Sequence, residues 1–233
     1  YSFLTIIIFL VLNLFDFRSF ISLNLSMTLI ASGGFLPTNN LETILNTQTK
    51  MIVFSLLMLI SFFSLFFLYN LLFYKKKGVK FIQEDVYLVI YLLFIIFIFF
   101  LLIDKNTNFG IIFLAISSSV SNVGVSLKNT PEYLSFIFLI LIIIGGSFFS
   151  TSSGLRFLKI VSLFQFSINE IISNAKPKNI FINKLWLSDK IMDKSDFYKY
   201  FFSILIFIIS LTSLTSILSM SGFDIESSFK LST

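Results

Sequence analysis

The sequence predicts an all-α polytopic membrane protein made of repeated units of helix, short helix, glycine loop and helix. Three observations carry that prediction. Hydrophobic residues fill 56% of the 233 positions and charged residues only 12%, more apolar surface than a soluble domain of this size can bury. Apolar runs at 51–74, 86–103, 133–160 and 200–220 reach or approach the roughly 20 residues a helix needs to cross a bilayer. A short glycine loop occurs twice, as Ala31-Ser32-Gly33-Gly34-Phe35 and as Ser121-Asn122-Val123-Gly124-Val125, each between a short apolar stretch and a long one.

Taken in order, residues 1–14 read as a helix cut by the start of the sequence, since Tyr1 is preceded by no Met and no charged region. A short helix near 17–29, the first glycine loop and the 51–74 run complete a first unit over 1–80. The 86–103 run, a short helix near 108–119, the second glycine loop and the 133–160 run form a second unit over 81–165. A linker at 166–195 follows. The region 196–233 then opens a third unit with the 200–220 run, a turn at Gly222 and the start of another short helix. Internal repeats of this kind are common in membrane transport proteins.

Charge sets the expected orientation. If Lys75, Lys76, Lys77 and Lys80 are cytoplasmic, so are Arg156, Lys159 and the basic residues from Lys176 to Lys199. That places 12 of the 17 basic residues inside, in line with the positive-inside rule. Both glycine loops then enter from the outer face. The net charge of +5 reads as a topology signal and not as a nucleic-acid signal.

Irregular backbone at membrane depth is tolerated only when buried in protein or lining a wet cavity. Glycine permits positive φ and a close approach of backbone to an ion, and converging carbonyls can replace a cation's hydration shell. Ala31, Ser32, Gly33 and Gly34, with Ser121, Asn122, Val123 and Gly124, are therefore candidate ion-binding residues. Two such walls do not close a ring.

Within the 133–160 run lies Gly145-Gly146-Ser147-Phe148-Phe149-Ser150-Thr151-Ser152-Ser153-Gly154. Its small and hydroxylated residues lower helix propensity and offer partners to freed backbone groups, so a broken helix is expected. Arg156 and Lys159 are three apart, which puts them on nearly one helix face. They serve either as interfacial anchors or as charges beneath a pore.

The chain has no cysteine and no histidine, which removes disulfides, thiol chemistry, the usual zinc sites and histidine-based catalysis. No enzyme and no cofactor is expected. A sodium-coupled secondary transporter with broken helices would need carboxylates inside the membrane, whereas Asp16, Asp104 and Asp224 fall at the ends of apolar runs. A membrane scaffold would not need two such loops.

These motifs resemble the Trk/Ktr/HKT superfamily of potassium transporters, most closely the membrane subunit of bacterial Trk systems (TrkH type). That family is built from four repeats of helix, pore helix, filter loop and helix. Ala31–Phe35 is similar to its second filter, usually Ser-Thr-Gly-Gly-Phe. The segment from Gly145 to Lys159 is similar to the broken second helix of its third repeat, with Arg156 and Lys159 at the two basic positions. Ser121–Val125 departs from the usual Thr-Thr-Thr-Gly-Phe of the third filter, and Phe148 and Phe149 replace two small residues. The linker, with Pro177 and the stretch from Lys184 to Asp189, resembles the segment before the last repeat.

The resemblance implies a potassium-channel-like fold, without its first repeat and fourth filter, for multi-pass potassium uptake in the bacterial inner membrane. Filter residues would hold potassium, and Gly145, Gly146, Ser147, Ser150, Thr151, Ser152, Ser153 and Gly154 would form a gate loop with Arg156 or Lys159 as its charge. It further implies membrane lipid, a homodimer and a cytoplasmic nucleotide-binding regulatory subunit as partners, with no nucleic acid. A sodium-selective member of the same superfamily is the nearest alternative.

Overall fold

The three prolines, Pro37, Pro131 and Pro177, all fall between the long apolar runs, so nothing in those runs removes a helical donor. The computed structural model describes residues 1–38, 41–64, 68, 82–102, 108–125, 127, 134–175 and 194–232. Among them the regular structure is α-helical, apart from a 3-10 turn at Leu41–Thr43. The helices are α1 (Ser2–Leu14), α2 (Ser19–Ala31), α3 (Gln48–Phe62), α4 (Ile82–Leu102), α5 (Phe109–Ser121), α6 (Ser135–Ile144), α7 (Phe157–Ala175), α8 (Lys194–Met220) and α9 (Ile225–Ser232). The Lys75–Lys80 cluster, the later part of the 51–74 run and the linker at Pro177 and Lys184–Asp189 lie outside the described residues.

The chain divides into two compact units, Tyr1–Gly154 and Leu155–Thr233. In the first, α1 packs on α2, α2 on α3, α3 most extensively on α5, and α5 on α6. The core joins Ile8 and Leu12 of α1, Leu25 and Leu29 of α2, Phe54, Leu57 and Met58 of α3, and Leu114 of α5. Lipid is as apolar as leucine, so close packing and hydrogen bonds must hold such helices together. Small residues serve that end. A Cβ on Gly110 would already stand 3.3 Å from the Gln48 side chain where α5 meets α3. Buried Ser26, Ser55, Ser61, Ser119 and Ser121 return their hydroxyls to carbonyls one turn back in their own helices.

Among the described residues, two helices are long and apolar enough to cross a membrane, at Glu84–Leu101 and Ser195–Met220. The other apolar helices of the first unit are shorter, at 10–17 residues. In the second unit α8 packs on α9 and α7, while Phe202, Ile206, Ile209 and Ile217 of α8 stay exposed. A surface this apolar and this long suits lipid contact better than water.

One expectation is corrected. The 51–74 run does not begin as one uninterrupted helix, because α3 stops at Phe62 and Phe63 is extended (φ −79°, ψ 159°). An intact helix would give the Ser61 and Phe62 carbonyls amide partners four residues on. Here the Ser152 amide donates to the Ser61 carbonyl at 3.2 Å and the Ser147 amide to the Phe62 carbonyl at 3.1 Å. The Ser64 amide and hydroxyl donate to the two oxygens of Asp85, at 3.1 and 2.7 Å. Asp85 is fully buried in the first turn of α4, where the partial positive charge of the helix end favours a carboxylate.

Asp85→Ala would strand two donors at the α3 break. Losing a buried charged acceptor costs about 1.5–3 kcal/mol, so a lower thermal midpoint is expected for the full-length protein in detergent. An unchanged midpoint would show that the break is held by other contacts.

Candidate functional site

The two glycine loops share one backbone design. Helices α2 and α5 are each 13 residues long, and each ends on a residue in the left-handed region. That residue is Ser32 in the first loop (φ 49°, ψ 40°) and Asn122 in the second (φ 56°, ψ 31°). The next amides, of Gly33 and Val123, reach back to the carbonyls of Thr28 and Ser118, both at 3.2 Å, the bond of a Schellman cap. Two residues after each cap comes a glycine with positive φ, Gly34 at 65° and Gly124 at 75°. A constant offset of 90 residues relates the loops, with Ser19 matching Phe109 and Ser32 matching Asn122.

The helix hydroxyls add a second tie at matching positions, with opposite polarity. Thr28 donates to the Phe35 carbonyl at 2.6 Å, whereas the Val125 amide donates to Ser118 Oγ at 2.7 Å. Both loops are thereby anchored to the helix that precedes them. Ala31 and Ser121 close those helices, and Val123 and Val125 sink into the same core as Leu25 and Leu29.

The structure brings the loops together. A Cβ on Gly34 would stand 2.6 Å from the Val123 carbonyl oxygen, so the first loop touches the backbone of the second. Gly124 faces open space. At the two cap positions, Ser32 Oγ and Asn122 Oδ1 are buried with no hydrogen-bond partner among the described residues. Orphan buried oxygens at equivalent places are unusual and call for an ion, a water or a functional reason. No cluster of three His, Cys, Asp or Glu residues capable of holding a metal ion occurs among the described residues, so oxygen from backbone and hydroxyl groups is what these loops can offer.

The small-residue run leaves the helix at Gly145 (φ 68°, ψ −174°), and helix resumes only at Phe157. Between them residues 145–154 make a loop pinched at its neck. A Cβ on Gly154 would lie 2.9 Å from the Gly145 Cα and 2.9 Å from the Ile142 carbonyl oxygen. Gly146 lies against α3, where a Cβ would stand 2.7 Å from the Phe62 carbonyl oxygen. Inside the loop Ser150 Oγ donates to the Ser147 carbonyl at 2.7 Å and pairs with Ser152 Oγ at 3.3 Å. Thr151 Oγ1 adds a long bond to the Ser61 carbonyl at 3.4 Å. Phe148 and Phe149 meet edge to face at the tip, 5.0 Å apart.

Asn122 joins this loop to the second glycine loop. Its side-chain amide donates to Ser153 Oγ at 2.7 Å and to the Ile142 carbonyl at 3.2 Å. The basic residues sit differently from the expected helical pair. Arg156 precedes α7 with φ 72° and is not part of the helix that carries Lys159, although its carbonyl accepts the Lys159 amide at 3.1 Å. Lys159 Nζ donates to Ser203 Oγ of α8 at 2.8 Å, within the second unit.

Sequence reasoning missed Glu84 and Asp85. Both are buried at the start of α4, and Glu84 Oε1 accepts the Phe148 amide at 2.9 Å. The available signal was an adjacent acidic pair opening an apolar run, which reads locally as an ordinary helix start.

Gly34 and Gly124 should respond differently to alanine. Positive φ costs a residue with a Cβ about 1–2 kcal/mol, which is the whole expected loss for Gly124→Ala. Gly34→Ala adds a backbone clash with Val123 and should lower the thermal midpoint clearly further. Equal melting curves for the two variants would refute the close approach of the loops.

No family model matches the sequence, and no curated relative matches it. The crystal structure of the potassium transporter TrkH from Vibrio parahaemolyticus is similar, with a TM-score of 0.74 at 19% identity. The match covers 97% of this chain and 51% of that one. The chain therefore spans about half the length of that transporter, and over that half the two share a fold.

Proposed function

We propose that this chain is part of a potassium-transporting pore, in which the two glycine loops are walls of a selectivity filter. The observation that carries this reading is their shared geometry. Two loops of the same cap, the same glycine φ and a constant sequence offset meet at Gly34 and Val123. Carbonyls at 31–33 and 122–124 would replace part of the ion's hydration shell. The orphan oxygens of Ser32 and Asn122 are groups that a cation or its hydration water would satisfy. A closed ring takes further walls, which belong to the rest of the assembled transporter.

The fold likeness to a potassium transporter supports the same class, a transporter and not an enzyme. The loop at 145–154 would be the gate beneath the filter, tied to it through Asn122 and Ser153. Arg156 and Lys159, which follow the loop in sequence, would be its charged residues by the family resemblance. Multi-pass placement in the bacterial inner membrane is part of the proposal, supported by the apolar helices and the asymmetry of basic residues. A homodimer with a cytoplasmic nucleotide-binding regulatory subunit completes the proposal on the strength of the family resemblance.

The test is rubidium uptake by cells carrying the full-length gene. Gly34→Val and Gly124→Val should each lose most of the uptake at normal membrane levels, because distorted carbonyls no longer replace the ion's hydration shell. Normal uptake by Gly124→Val would overturn the filter assignment. Deleting 146–153 should raise passive flux, and an unchanged flux would count against a gate.

A further inference from the structure

We infer that Glu84 is a positioning residue, a latch whose carboxylate holds the tip of the 145–154 loop in the closed position. The inference rests on the pore reading above and adds to it a regulatory side chain outside filter and loop. The loop is secured at its neck by Gly145 and Gly154 and along one side by the Ser61 and Phe62 carbonyls. Its tip is held differently. The Phe148 amide donates to Glu84 Oε1 at 2.9 Å, and Glu84 is 1% exposed.

The chemistry of that bond differs from the others on the loop. Bonds between neutral backbone groups are modest, whereas a carboxylate acceptor is roughly twice as strong. The tip is also where restraint matters most, because it lies farthest from the pinched neck. Glu84 sits in the first turn of α4, where the helix end favours negative charge. The neighbouring Asp85 fixes the same turn to Ser64 through two bonds. Consecutive carboxylates thus hold both broken spans. Asp85 restrains the α3 break and Glu84 the loop that covers it, so a shift of the α4 start would loosen both together.

The experiment uses the full-length protein in liposomes, with two readouts on Glu84→Ala and Glu84→Gln. One is rubidium efflux without activation; the other is amide hydrogen exchange of the segment containing Phe148. Glu84→Ala removes the acceptor, so exchange at the tip should speed up by about tenfold or more, with a matching rise in basal efflux. Glu84→Gln keeps an acceptor oxygen without the charge and should give a smaller change, about threefold. If Glu84→Ala does not accumulate in the membrane, Glu84→Gln decides alone. Unchanged exchange and efflux overturn the latch. Absence of efflux from wild type and variants alike, even under activating conditions, would instead fault the pore reading, while exchange still judges the latch.

Discussion

Backbone groups freed inside an apolar protein must find partners, and this constraint organises the first unit. The α3 helix stops at Phe62 and leaves carbonyls without their next turn. The chain after α6 abandons helix at Gly145 and leaves amides without theirs. Each break supplies what the other lacks, through Ser147 to Phe62 and Ser152 to Ser61. In hydrocarbon, either break alone would leave unsatisfied groups costing several kcal/mol each. Together they form a joint. Asp85 completes it by accepting the two donors of Ser64.

The glycine loops obey the same constraint by another route. Their Schellman caps return the first free amides to the helix that precedes them. Hydroxyls of Thr28 and Ser118 pin the far side of each turn. Little freedom is then left in the segment between, which suits a role requiring fixed oxygen positions. Because Val123 and Val125 are also core residues, the second loop cannot shift without disturbing the packing of α2 and α3.

Much of this was legible in the sequence because it depends on local chemistry. Run lengths gave the helices, and glycine with serine gave the loops and the interruption at 145–154. The expected short helices at 17–29 and 108–119 lie one or two residues before the observed Ser19–Ala31 and Phe109–Ser121. The α3 break was not legible. Its sequence, Leu59-Ile60-Ser61-Phe62-Phe63-Ser64, carries no glycine or proline, and the partners that stabilise it lie far along the chain at Asp85, Ser147 and Ser152. Arg156 was misread for a related reason. Spacing alone implies that Arg156 and Lys159 share one helix, but the backbone is at positive φ at Arg156 and the helix begins only after it.

The pinched neck of the 145–154 loop has a mechanical consequence. Since Gly145 and Gly154 touch, the excursion between them starts and finishes at one point. A flap hinged in this way can swing without altering the distance its flanking segments must cover. Its travel needs no new loop closure, whose entropy is already spent in the resting shape. The work of moving it would then be set by the few bonds along its edge and tip.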